Sequence, residues 1–180
     1  TKGEYAMRKR VQDSYLVKCF LVVFLCFVVD STIHYFLPYN FTKTSITITP
    51  CLGLMMFALL VRTIEAGAER YFFATLCSVY YSIVYANSLA IYILIYCLIA
   101  FVRSYLFKLD TLNIIESIIF CILTIFAQEC IVYWLMWITN MTRYPMVSFV
   151  VMQLLPTLLF NGILSIGVYW IYNKVKIEVE

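Results

Sequence analysis

The sequence predicts an all-α fold, a polytopic membrane bundle of about six helices, from three observations. Apolar residues fill 64% of the 180 positions and charged residues only 13%, with a mean hydropathy of +0.91. A soluble domain of this size carries about a quarter charged residues to cover its surface, so that class is excluded. Apolar runs of the length a bilayer demands, about 20 residues, recur along the chain with short polar stretches between them. Read as six spans, they place eleven of the 13 Lys and Arg residues on one side of the membrane.

The spans fall near 15–38, 46–64, 71–85, 88–107, 114–138 and 146–172. A segment of 14 residues precedes them, and residues 173–180 form a tail. Connections are short and polar: Tyr39 to Ser45, Glu65 to Arg70, Lys108 to Asn113 and Thr139 to Pro145. The 71–107 stretch is too long for one crossing, and Ala86-Asn87-Ser88 supplies a turn within it. With the N-terminus inside, Lys2, Arg8, Lys9, Arg10, Lys18, Arg62, Arg70, Arg103, Lys108, Lys174 and Lys176 are cytoplasmic, against Lys43 and Arg143 outside. The positive-inside rule then puts both termini in the cytoplasm. The first apolar run has a basic flank but continues past residue 30 with no small-residue cleavage site, so it reads as a span rather than a cleaved signal.

No soluble domain is expected, so function lies within the bilayer or in contacts with other chains. The net charge of +3 sits on the cytoplasmic rim, where anionic lipid attracts it, and nucleic acid is not an expected partner. The seven cysteines are scattered without a CxxC pair and read as small apolar packing residues. A lone histidine, His34, and the lack of an HExxH pair argue against a metal hydrolase. No GxSxG, paired intramembrane aspartates or phosphate-binding glycine loop occurs. No cofactor is expected, and no catalysis. The sequons at Asn40 and Asn140 sit against helix ends and read as chance.

Several residues stand out within the spans. Ala74, Ser78, Ser82, Ala86 and Ala90 recur every four residues, forming a small-residue face that lets helix backbones approach closely. Such a face is a seam inside the bundle or an interface with another protein. Asp30 and Glu129 are costly, because a carboxylate near the bilayer centre costs about 2.5–3.5 kcal/mol on insertion scales. Both fall about two-thirds of the way along outward-running spans. Asp30 lies four residues before His34, a spacing that lets the two pair on one face, and Gln128 neighbours Glu129. These four form either a polar site or proton relay, or neutral carboxyls hydrogen-bonded in the bundle. In the last span Pro156 predicts a kink, Asn161 a polar bridge to a neighbouring helix, and Gly162 and Gly167 a close approach.

The run Leu154-Leu155-Pro156-Thr157-Leu158-Leu159-Phe160-Asn161, with Thr49-Pro50 opening the second span, resembles the MreD family of bacterial rod-shape-determining membrane proteins. The likeness extends from about Val17 to Tyr172. Where that family reads GxxxGxxxD in its third span, this chain has Ala74, Ser78 and Ser82, which keep small size but lack both glycines and the Asp. The resemblance implies a non-catalytic scaffold in the cell membrane that binds a single-span MreC-like protein. The wider elongation complex it implies contains an actin-like filament, a glycosyltransferase and a transpeptidase, and organises lateral peptidoglycan synthesis. The substrate-binding subunits of energy-coupling-factor vitamin transporters are similar in size and span count. They supply the alternative function, with Asp30, His34, Gln128 and Glu129 lining a solute cavity.

Overall fold

A computed structural model describes residues 2–36, 46–64, 67–85, 89–106 and 113–177. Among them every regular element is helical: α1 (Lys2–Phe36), α2 (Leu52–Leu60), α3 (Gly67–Tyr85), α4 (Leu89–Leu106), α5 (Ile114–Ile138), α6 (Met146–Phe149) and α7 (Leu155–Ile177). A π-helical turn, Val150–Leu154, joins α6 to α7 without interruption. Three stretches are long and apolar enough to cross a membrane, namely Ser14–Phe36, Ile114–Ile138 and Met146–Val175. The helix over Ala90–Val102 is apolar but shorter.

The second expected span is not one helix. Residues 46–51 are irregular, and α2 has only nine residues, a rise of about 14 Å against a hydrocarbon core of about 30 Å. The local chemistry explains the late start. Ile46, Thr47, Ile48 and Thr49 are β-branched, which disfavours helix. Pro50 pushes Thr49 out of the helical region and cannot donate a backbone hydrogen bond. Leu52-Gly53-Leu54-Met55-Met56 then follows with ordinary helix formers apart from Gly53.

This half-helix is the centre of the bundle. Gly53 through Leu60 are all buried, and α1, α5 and α7 pack around them. The close approach falls at Gly53, where an added Cβ would run into the ring of Phe27. It does not fall at Gly162, where an added Cβ would meet Ile122 Cδ1 at an ordinary 3.7 Å, nor at Gly167, where nothing lies within 4 Å. At its C-terminal end α2 is tied to α1, with Tyr15 Oη donating to Thr63 Oγ1 at 2.7 Å. The guanidinium of Arg62, a buried residue, lies over the Phe120 ring of α5 at 5.2 Å. Five of the cysteines are buried and two half-buried, all free thiols.

Helix α5 begins with the sequence-legible cap Asn113-x-x-Glu116, in which Asn113 N–H donates to Glu116 Oε2 at 3.1 Å. Helices α3 and α4 pack along each other, and α3 also meets α1. Ala74, Ser78 and Ser82 are buried on α3. Their hydroxyls stay within the helix: Ser78 Oγ donates to Thr75 O and Ser82 Oγ to Ser78 O, at 2.8 and 2.7 Å. The seam therefore works by small size rather than by bonds across it. Ala90 is exposed on α4. Ala86 and the expected turn at 86–88 lie outside the described residues, as do 37–45 and 107–112. The side chain of Arg103 is likewise outside them.

Ser78→Leu should lower thermal stability by about 1–3 kcal/mol through overpacking. Thr75→Leu, one residue type away on the exposed side of the same helix, should be near neutral. Melting curves of the two variants in detergent check this, and equal tolerance would show the seam to be accidental.

Candidate functional site

The polar residues singled out in the sequence fall into two groups, and the first is built around the start of α2. Asp30 on α1 is 2% exposed. Its Oδ1 accepts from Leu52 N–H and its Oδ2 from Gly53 N–H, each at 2.8 Å. Asp30 thus caps from a different helix the N–H groups that a helix leaves unpaired in its first turn, and its charge lies at the positive end of the helix dipole. The cap residue itself, Cys51, makes no side-chain cap. The expected pairing of Asp30 with His34 is replaced by this arrangement: both Asp30 oxygens are taken by α2, and His34 is exposed one turn further on.

Asn161 on α7, fully buried, holds the other side of the lead-in. Its Oδ1 accepts from Cys51 N–H at 2.8 Å. Its Nδ2 donates to Thr49 O at 2.7 Å and to Thr157 O at 2.8 Å. The amide orientation follows from these partners, since only the oxygen can face an N–H and only the nitrogen can face two carbonyls. One turn earlier Thr157 Oγ1 accepts from Thr49 N–H at 3.3 Å. Pro156 has no N–H to offer the carbonyl one turn back, Met152 O, and Thr47 N–H donates to that carbonyl at 2.9 Å. Thr157, Asn161 and the Met152 carbonyl that Pro156 leaves free therefore bind the irregular backbone of residues 47–51. The expected Asn161 bridge to a neighbouring helix runs instead to the irregular backbone leading into α2. Irregular backbone packed within a bundle needs protein partners for its polar groups, and Asp30, Thr157 and Asn161 supply them here.

The second group lies around Glu129 on α5, which is 7% exposed. Its Oε2 accepts from Gln153 Nε2 at 2.9 Å. Gln153 lies in the π-helical turn that precedes Pro156, and such turns are frequent at functional sites because they re-aim side chains. The two residues line an open cavity of about 290 Å³ together with Thr47, Tyr133, Tyr144 and Phe149. Tyr133 and Phe149 stack with ring centroids 4.2 Å apart and planes 15° from parallel, and Tyr133 Oη donates to Tyr144 O at 2.9 Å. Gln128, the neighbour of Glu129, is 2% exposed and does not line this cavity. Its Oε1 has no hydrogen-bond partner among the described residues.

Asp30, His34, Gln128 and Glu129 are therefore not one constellation. Asp30 belongs with Asn161 and Pro156, Glu129 with Gln153. Gln153 and Thr157 were not singled out from the sequence, although polar side chains three residues before and directly after a proline within a long apolar helix are a detectable signal. Among the described residues no group of three His, Cys, Asp or Glu side chains is placed to hold a metal. No protein-family model, curated protein or solved structure matches the chain.

Proposed function

We propose that this chain is a non-catalytic membrane scaffold of the bacterial cell-elongation machinery, held in the cell membrane by six crossings with both termini cytoplasmic. Its partner is a single-span protein of the MreC type, within a complex that organises lateral peptidoglycan synthesis. The observation that carries the scaffold reading is the use made of Asp30 and Asn161. The costliest polar groups of the bundle centre bind the chain's own backbone at 47–53, which leaves them committed to shape rather than to a solute or a proton path. The cell-elongation assignment rests on the Pro156–Asn161 and Thr49-Pro50 pattern. In this topology the second crossing is discontinuous, an irregular half followed by α2.

Large apolar side chains remain exposed along the helices, among them Leu21 and Leu25 on α1 and Leu159 and Ile163 on α7. Lipid competes for such surface, so a partner helix gains mainly from shape and small residues. Co-expression of the tagged chain with an MreC-like protein, followed by detergent purification, should yield a stoichiometric complex. Cysteine labelling should mark positions 43 and 143 from outside and leave 69 and 109 unmarked. A folded bundle that brings down no such partner overturns the scaffold assignment, and outside labelling at 69 or 109 overturns the topology.

The energy-coupling-factor alternative, a solute-binding subunit, is favoured by one observation, the Glu129 cavity. It is not favoured by Asp30 or His34, which do not line that cavity.

A further inference from the structure

We propose that the cavity between α5 and the segment formed by α6 and the π-helical turn binds a small organic cation, an ammonium group held by Glu129 against the aromatic wall. Four independent features converge there. The carboxylate is nearly buried yet has one hydrogen bond among the described residues, from Gln153. A carboxylate offers about four acceptor sites, and Gln153 occupies one of them, so Glu129 keeps acceptor capacity for a donor that enters the cavity. An ammonium group brings both the N–H donors and the charge that would hold the carboxylate ionised. The wall beside it is aromatic: Tyr133 and Phe149 are stacked, and Tyr144, whose backbone carbonyl accepts from Tyr133 Oη, also lines the cavity. Aromatic faces attract ammonium groups within about 6 Å, so carboxylate and rings select the same chemistry.

The backbone around the cavity is also built for the purpose. The π-helical turn at Val150–Leu154 turns Gln153 toward Glu129. The lead-in to α2 contributes Thr47 to the rim, held there by the bond from its N–H to Met152 O. The cation seen nearby, Arg143, is exposed and lines a neighbouring cavity that shares Tyr133 and Tyr144 as a wall. A divalent metal is a poor fit, since calcium takes 6–8 oxygen ligands and this site offers one carboxylate and little else. At about 290 Å³ the cavity suits a molecule of a few heavy atoms, at the small end of ligand sites. The inference goes beyond the scaffold reading, and its test reads ligand binding alone, whether or not a partner co-purifies.

The full-length chain in lipid nanodiscs is melted with butylammonium and, in parallel, with neutral butanol. Butylammonium should raise the melting temperature saturably in the millimolar range, and butanol should not. Glu129→Gln should abolish the shift. Tyr144 is exposed, so Tyr144→Leu should fold normally while weakening binding about three- to tenfold, as loss of one aromatic face implies. Discs with and without phosphatidylethanolamine distinguish the source of the ammonium. A shift lost only when that lipid is present assigns the site to its headgroup, and a shift kept in both assigns it to a free solute. Equal shifts with butylammonium and butanol, or a butylammonium shift unchanged in both variants, overturn the proposal.

Discussion

Asp30→Ala should destabilise the bundle by about 2–5 kcal/mol. The figure follows from two N–H groups, one on half-buried Leu52 and one on buried Gly53, losing their acceptors at once; a buried group left unsatisfied costs about 1–3 kcal/mol, and the half-buried one somewhat less. It exceeds the cost of deleting an ordinary N-cap, about 1 kcal/mol, because water cannot replace a cap inside the bundle. Asp30→Asn keeps one acceptor oxygen and should cost roughly half as much by the same count. His34→Ala should be near neutral, since His34 is exposed. Thermal unfolding in detergent measures all three. A similar loss at Asp30 and His34 would restore the pairing of those two residues and remove the cap from the account.

Asn161→Leu should cost about 2–4 kcal/mol, from three hydrogen bonds lost to one residue. Side-chain bonds between membrane helices average only about 0.6 kcal/mol, because the separated helices find other partners. Asn161 escapes that discount in part. Two of its partners, Cys51 N–H and Thr49 O, belong to irregular backbone that has no helix of its own to satisfy it. Asn161→Asp is the sharper variant. It keeps the acceptor for Cys51 but replaces the donor facing Thr49 O and Thr157 O with an oxygen, so it should be at least as damaging as Leu. An aspartate that is tolerated while leucine is not would mean that the donor half of the amide contributes little.

Much of this architecture is legible in the sequence, and the failures have two causes. The small-residue seam is found because a spacing of four is a property of one helix, and Ala74, Ser78 and Ser82 are buried as expected. The same kind of reasoning misassigns Asp30. A spacing of four points it to His34, whereas its partners lie 22 and 23 residues away on a different element. Glu129 is similar, with Gln153 24 positions on. Such pairs follow from how helices pack, which no local period encodes. The second span is a different case, because its signal was present. Averaged apolarity over 46–64 hides a β-branched run closed by Pro50, and both disfavour helix. Pro156 and Asn161 stand out in the sequence, but that Asn161 and the Met152 carbonyl freed by Pro156 bind backbone at 47–51 depends on that misread segment.

The central claim is that Asp30 and Asn161 exist to hold the backbone of residues 47–53 inside the bundle. Amide hydrogen exchange over that segment, in the purified chain, tests it most directly. The amides of Leu52 and Gly53 should exchange as slowly as those in the middle of α2 and become fast in Asp30→Ala. The amide of Cys51 should respond in the same way to Asn161→Leu. Rapid exchange at all three in the unaltered protein, with α5 and α7 still protected, would contradict the account.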